Sequence, residues 1–186
     1  TDEIEVVNYS AGVRNGLTAK AQIINMDGSI SWENEVSVDS KEDTTNKCMK
    51  LDFPASVSSA HFVKLTLTEN GKIVSDNFYL RGVEEGNYQA LREMPKVTLR
   101  SNVATNKGND GTWTATIWEN TSSTPALMIR VNVVGEKDGE QFLPVFYSDN
   151  YFSLLPGEKK EINIHWKDVD TRGETPKVVI SGYNVE

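Results

Sequence analysis

The sequence predicts an all-β chain folded as two tandem immunoglobulin-like antiparallel β-sandwiches joined by a short hinge. Three observations support this fold class. Apolar residues recur at every second position over most of the 186 residues, as in strands with one buried and one solvated face. Turn dipeptides separate these runs. A polar break at 84–95 divides the strands into two groups. The turn dipeptides are Asp27–Gly28, Asn70–Gly71, Asp110–Gly111, Asp138–Gly139 and Pro156–Gly157.

The first group contains six predicted strands. Leu17, Ala19, Ala21 and Ile23 alternate with polar residues, which predicts one buried face. Trp32 falls in the third strand, where immunoglobulin sandwiches often bury a tryptophan. The predicted strands lie at 3–9, 18–26, 29–39, 46–54, 61–69 and 72–81.

The segment 84–95 interrupts the strand pattern. Glu84, Glu85 and Gly86 form a polar hinge, and Asn87 is suited to cap one helical turn through Tyr88–Met94. Pro95 disfavours helix at the residue before it. We therefore predict an immunoglobulin-like sandwich at 1–83, a linker at 84–95 and a C-terminal sandwich at 96–186. A single large sandwich is the alternative.

The second group contains seven predicted strands, again with period-two alternation. Ile129, Val131 and Val133 share one face of their strand, as do Ile162, Ile164 and Trp166. The predicted strands lie at 96–105, 111–120, 126–134, 140–148, 150–155, 158–167 and 177–185.

The strand at 111–120 contains the one surface residue singled out for a function. Alternation pairs Trp113 with Ala115 and Ile117 on an inward face, and leaves Trp118 outward beside Thr114 and Thr116. An exposed indole on a flat sheet suits stacking against a sugar ring or packing against a neighbouring domain. Trp118 is therefore a candidate glycan or domain contact, and packing is the favoured interpretation.

Composition argues against several function classes. The net charge of −8 and the lack of Lys/Arg clusters disfavour nucleic acid, and no apolar run is long enough to span a membrane. The lone Cys48 permits no internal disulfide. His61 and His165 are predicted at the surface or rim rather than in a catalytic triad. The loop containing Asp168 and Asp170 lacks the spacing of a calcium loop, so no metal, cofactor or catalytic residue is predicted.

Two similar phrases, SDNFYL at 75–80 and SDNYFSL at 148–154, raise the possibility of a duplication or a repeated ligand site. The first falls in the last strand of its group, whereas two strands follow the second. They are therefore not copies of one ancestral position. We interpret both as entries into half-buried strands.

The order of four phrases resembles the C-terminal region of family 2 glycoside hydrolases, in particular the β-mannosidases and exo-β-glucosaminidases. The similarity extends roughly from Val6 to Tyr183. The order of the phrases and the linker are its specific part. The phrases are FVKLTL (62–67), VSDNFYL (74–80), NYQALREMP (87–95) and VFYSDNYFSLLPGE (145–158).

This resemblance implies a retaining glycosidase whose catalytic glutamates belong to a (β/α)₈ barrel. Such a barrel needs about 250 residues, so no catalytic residue carries over to this chain. The expected function is a non-catalytic accessory region that contacts the barrel and other domains of a parent enzyme. The resemblance also implies a periplasmic or secreted protein, and the start at Thr1 is expected of a mature or excised piece. A stand-alone carbohydrate-binding or adhesion module is the alternative.

Overall fold

The computed structural model describes residues 2–108 and 111–186. The predicted Asp110–Gly111 turn includes Asp110, which lies outside the described residues. The chain divides into two compact units, one ending at Glu93 and the other beginning at Met94. Across the described residues, regular structure consists of thirteen strands and two short 3₁₀ helices. The all-β fold class predicted from the sequence is confirmed.

The first unit contains six strands and ends in a 3₁₀ helix at Gln89–Glu93. The strands are β1 (Glu3–Asn8), β2 (Arg14–Asn25), β3 (Ile30–Ser40), β4 (Thr44–Lys50), β5 (Ala60–Glu69) and β6 (Lys72–Gly82). They form a four-stranded sheet in the order β3-β2-β5-β6 and a two-stranded sheet, β1-β4. Every pairing is antiparallel.

The core of the first unit lies between these two sheets. The predicted inward face of β2 is buried, with no more than 4 % exposure at Leu17, Ala19, Ala21 and Ile23. Ile4 and Met49 of the smaller sheet pack against this face, and so does Trp32. Complete burial of a leucine or isoleucine side chain contributes about 1.5–3 kcal/mol, so Leu17 and Ile23 stabilise the unit through this face.

The second unit contains seven strands and a 3₁₀ helix at Asp168–Thr171. The strands are β7 (Arg100–Gly108), β8 (Gly111–Glu119), β9 (Ala126–Gly135), β10 (Val145–Tyr147), β11 (Phe152–Leu154), β12 (Lys159–Trp166) and β13 (Pro176–Ser181). The order is β10-β12-β8-β7 in one sheet and β11-β9-β13 in the other. The predicted inward residues of β9 and β12 form the core with Phe142 and Phe152.

Two predicted strands of the second unit are much shorter in the structure. The strand predicted at 140–148 is reduced to Val145–Tyr147, because Pro144 has no N–H to donate to a sheet. The strand predicted at 150–155 is reduced to Phe152–Leu154. Ahead of it the Asn150 side chain accepts a hydrogen bond from Val131 N (2.8 Å) and donates one to Val131 O (2.9 Å). An amide side chain thus replaces one step of the β-ladder.

The inward and outward faces predicted for β8 are reversed in the structure. Thr114 and Thr116 lie directly opposite Ile164 and Ile162 of β12. Directly opposed residues in a sheet point to the same side. Since the two isoleucines are fully buried, the threonines and Trp118 must also point inward, and Trp113 must point outward.

Candidate functional site

Trp118 is a core residue. Its side chain is 5 % exposed and belongs to the hydrophobic cluster of the second unit. The prediction that its indole lies on the exposed face is wrong, because the register with β12 turns it inward. The tryptophan that reaches solvent from β8 is Trp113, with 48 % exposure.

Trp113 belongs to an aromatic row on the outer face of the larger sheet. Phe146 of β10, His165 of β12 and Trp113 of β8 are direct cross-strand neighbours. The indole and imidazole rings are stacked with centroids 3.9 Å apart and planes 15° apart. The ring centroids of Phe146 and His165 are 6.4 Å apart, and Phe146 is exposed. We call these three side chains the aromatic row.

The aromatic row is suited to contact rather than to acid–base catalysis. His165 Nδ1 lies 3.2 Å from the carbonyl oxygen of Thr112, and both aromatic neighbours cover the imidazole. The two outer rings, Trp113 and Phe146, are the exposed members of the row. A surface of this type favours contact with a protein or a sugar ring. The prediction that His165 lies at the surface is consistent with this position.

His61 is buried, so its predicted surface or rim position is wrong. It has 2 % exposure and its Nδ1 lies 3.2 Å from Ser58 O. Its ring also contacts Phe53, with centroids 5.4 Å apart. Burial lowers the pKa of the imidazole, and the nearby Arg81 guanidinium lowers it further, against a hydrogen bond to Ser58. The folded environment therefore disfavours the protonated imidazole relative to an exposed histidine.

A cavity of about 350 Å³ adjoins His61 in the first unit. Arg81 at its edge donates to Asp2 over 2.9 Å and lies over the Phe53 ring at 4.9 Å. The hydrogen bond from Arg81 lowers the pKa of the Asp2 carboxyl, so this carboxylate stays ionised and paired with the guanidinium. The cavity therefore has no free carboxylate–histidine pair for catalysis.

The acidic loop after β12 serves a structural purpose in the described geometry. Thr112 donates to Asp168 Oδ1 over 2.6 Å, and Lys107 approaches Asp168 Oδ2 at 3.9 Å. Among residues 2–108 and 111–186, no group of three His, Cys, Asp or Glu side chains is placed to hold a metal ion. In the same residues, no helix has the length and apolar character needed to cross a membrane.

Cys48 is half-buried on β4. Its thiol donates to Asn46 O over 3.3 Å. Burial raises the pKa of this thiol, whereas a nucleophilic cysteine needs a lowered one. The side chain therefore packs against the core of the first unit and does not resemble a catalytic nucleophile.

These features define a tandem pair of immunoglobulin-like sandwich domains. Two family models match the chain in that order. The mannosidase Ig/CBM-like domain matches residues 3–81, and the exo-beta-D-glucosaminidase Ig-fold domain matches residues 77–185. The second match covers more than half of the 186 residues, so the chain belongs to the exo-β-D-glucosaminidase Ig-fold domain family.

Curated relatives are much longer than this chain. An exo-β-D-glucosaminidase of Streptomyces avermitilis is 30% identical over 206 residues, which cover 97% of this chain and 23% of the relative. The enzyme of the same name from Hypocrea jecorina is also 30% identical, with 99% and 23% coverage. The chain thus spans about a quarter of the relatives it matches.

Solved structures agree with this relationship. The exo-chitosanase CsxA of Amycolatopsis orientalis superposes with a TM-score of 0.90 at 25% identity, over 98% of this chain and 24% of that one. A β-D-mannosidase from Dictyoglomus thermophilum superposes with a TM-score of 0.64 at 13% identity, which shows a shared fold. The family resemblance stated from the sequence is confirmed: the chain comprises immunoglobulin-like domains of a glycoside hydrolase type.

Proposed function

We propose that this chain is the non-catalytic accessory region of an exo-acting, retaining glycoside hydrolase and supports that enzyme's catalytic barrel. One observation carries the proposal. Nearly the whole chain aligns with exo-β-D-glucosaminidases, yet it accounts for only about 23% of their length. Both matched family models describe immunoglobulin-type domains, so catalysis is assigned to the remaining polypeptide.

The chemistry of the described residues supports a non-catalytic role. A retaining glycosidase needs two carboxyl groups about 5–5.5 Å apart, one acting as acid and base and the other as nucleophile. Several carboxylates here are held in surface ion pairs, such as Glu33 with Lys20 at 3.0 Å and Glu119 with Lys159 at 3.2 Å. Such pairing lowers the pKa of Glu33, which is opposite to the change a general acid requires.

We assign the parent enzyme to terminal β-linked glucosamine residues in preference to mannose. Five relatives that align over at least 97% of the chain are named exo-β-D-glucosaminidase. The relative named mannosylglycoprotein endo-β-mannosidase, from Lilium longiflorum, aligns over 44 residues. The proposed partners are accordingly the catalytic barrel and other domains of a glucosaminidase.

A carbohydrate-binding or adhesion module is the second candidate function. The exposed aromatic row favours it, since Trp113 and Phe146 reach solvent on one sheet face. This proposal transfers the glycan contact from Trp118, whose indole is enclosed in the core, to Trp113.

One experiment separates the two functions. The reading frame that encodes the chain is expressed in full, and the isolated 186-residue chain is titrated with chitosan and mannan oligosaccharides. A frame encoding a barrel, with no saturable binding by the isolated chain, supports the accessory role. Saturable binding that Trp113→Ala abolishes and Met128→Ala preserves supports the module. Met128 is a matched control because it is also exposed, at 54 %.

A further inference from the structure

The first unit has an open groove along one side of its sandwich. Its larger sheet has four strands and its smaller sheet has two, so the inner side of the edge strand β6 extends beyond the smaller sheet. Two adjoining cavities of about 230 and 270 Å³ lie there and share Val6, Val7, Leu67 and Ser75. We call this space the β1–β6 groove.

The lining of the groove is apolar at its floor and polar at one wall. Ala19, Leu65 and Leu67 line the floor, and Ser75 and Asn77 of β6 form the wall. Val74, which also lines it, is 51 % exposed, and Leu65 and Leu67 are only partly buried. Apolar side chains left partly exposed along a groove are typical of a surface that is covered in a larger assembly.

The opposite wall is an unpaired strand edge. In the described part of the chain β1 is paired with β4 alone, so its alternate N–H and C=O groups on the other edge point toward the groove. A free edge of this kind is a template for another strand. The second unit shows the contrast, because its corresponding three-stranded sheet has β9 paired on both sides.

The length of the groove fits an extended segment. β1 has six residues, which corresponds to about 20 Å at roughly 3.3 Å per residue. A strand hydrogen-bonded to β1 would place every second side chain over Leu67 and Ala19 and the others in solvent. The occupant therefore has the chemistry of a β-strand with alternating apolar residues.

We propose that the β1–β6 groove accepts an extended strand from the remaining polypeptide of the parent enzyme, as the third strand of the smaller sheet. The inference rests on the proposed accessory function. The length of the relatives supports this occupant, because about three quarters of each relative lies outside the matched region and could supply the strand. A second copy of the chain is a poorer occupant, since Glu5 lines the groove and each copy carries a net charge of −8.

Hydrogen exchange of β1 tests this proposal in the isolated chain and in the full-length parent. We expect the β1 amides that point away from β4 to exchange at least about tenfold more slowly in the parent, because a new strand protects them. Amides of β9, already paired on both sides, provide the internal control and should be unchanged. Equal exchange of β1 in the two proteins would overturn the inference.

A pair of substitutions on β6 tests the site itself. Ser75→Trp fills the groove, whereas Asp76→Trp places the same bulk on the opposite face of the strand, and Asp76→Asn controls for the lost charge. Ser75 faces Leu67 and Asp76 faces Thr66 in the register. In the parent, Ser75→Trp should restore fast exchange in β1 and lower the melting temperature, and the Asp76 variants should not.

The outcomes distinguish this inference from the proposed function. If deletion of residues 1–186 destabilises the parent while β1 exchange and Ser75→Trp have no effect, the accessory function stands and the strand-accepting groove is wrong. A reading frame without a barrel removes the proposed function. Concentration-dependent protection of β1 in the isolated chain would assign the groove to a second copy and overturn the inference.

Discussion

Two tryptophans on β8 illustrate how one strand divides its side chains between the interior and the surface. Trp113 and Trp118 are five positions apart, so the period of two places them on opposite faces. Trp118 packs among Ile162, Ile164 and Trp166 of the core cluster. Trp113 stacks on His165 at the surface. Trp118 therefore contributes to the stability of the core, whereas Trp113 contributes to the exposed aromatic row.

We predict that Trp118→Ala destabilises the second unit by about 3–5 kcal/mol, the range for deletion of a large buried aromatic side chain. Trp113→Ala is the matched control and should cost about 0.5–1.5 kcal/mol, because it loses a partly exposed ring contact. Urea unfolding of each variant provides the measurement. Equal losses in the two variants would contradict the burial difference between these residues.

His61 makes the first unit sensitive to acid. Its folded-state pKa lies below the ordinary value because burial disfavours the charged imidazole. The unfolded chain therefore takes up the proton first, and stability falls as the pH drops through the ordinary histidine range. From about pH 7.5 to about pH 5.5, the wild-type chain should lose more stability than His61→Asn, which cannot titrate.

The measurement is hydrogen exchange of β2 and β5 at both pH values, which reports the first unit alone. Asn at position 61 lowers stability at the higher pH, so the comparison concerns the change with pH in each protein. Identical pH dependence in the wild-type and His61→Asn proteins would show that the imidazole is accessible to protons in the folded state.

At the scale of elements, the sequence predicted the inward face correctly for those strands that have one clearly apolar side. On β2 and β9 the apolar residues alternate with Lys, Gln, Arg or Asn, which leaves one possible inward face. On β8 both faces contain a tryptophan and small or β-branched residues. Alternation alone does not decide between them, and the pairing with β12 does.

The burial of His61 could have been predicted from the alternation pattern of β5, but the sequence analysis did not use it. His61 has the same parity along β5 as Val63, Leu65 and Leu67, which face the core or the groove. The β1–β6 groove could not be predicted in this way, because it depends on which strands pair and on the unequal widths of the two sheets. Strand pairing between distant segments is not encoded in local periodicity.

The segment between the two units is the element most open to proteases. Residues 83–89 are all exposed, and Asn87 Oδ1 accepts from Gln89 N over 3.4 Å, in line with the predicted cap of a short helical turn. We expect a glutamyl endopeptidase to cut after Glu84 or Glu85 and to leave two resistant fragments. Glutamates within paired strands are protected by their ladder hydrogen bonds.

Mass spectrometry of a brief digest provides the test. The double variant Glu84→Gln/Glu85→Gln is the control and should remain intact for longer under the same conditions. Cleavage scattered through residues 96–186 would indicate that the second unit has no independent core and would contradict the predicted domain division.

At the scale of the whole molecule, the chain combines two small cores with a strongly acidic composition. Each unit buries its own hydrophobic clusters, while the net charge of −8 keeps the exterior solvated. The aromatic row and the β1–β6 groove are two exposed features with apolar character. Both are suited to covering, or being covered by, a neighbouring part of a larger enzyme.

The last prediction concerns activity and follows from the proposal that this chain is accessory and that catalysis belongs to the remaining polypeptide. The isolated chain should not hydrolyse aryl β-glucosaminides or β-mannosides, and the parent should release a terminal β-linked sugar with retention of configuration.

Deleting residues 1–186 from the parent should lower its melting temperature or solubility more than its turnover per folded molecule, because the lost contacts are structural. Product stereochemistry by NMR and turnover normalised to folded enzyme measure both effects. Turnover by the purified chain above that of a mock preparation would refute the non-catalytic assignment, and inversion by the parent would refute the retaining mechanism.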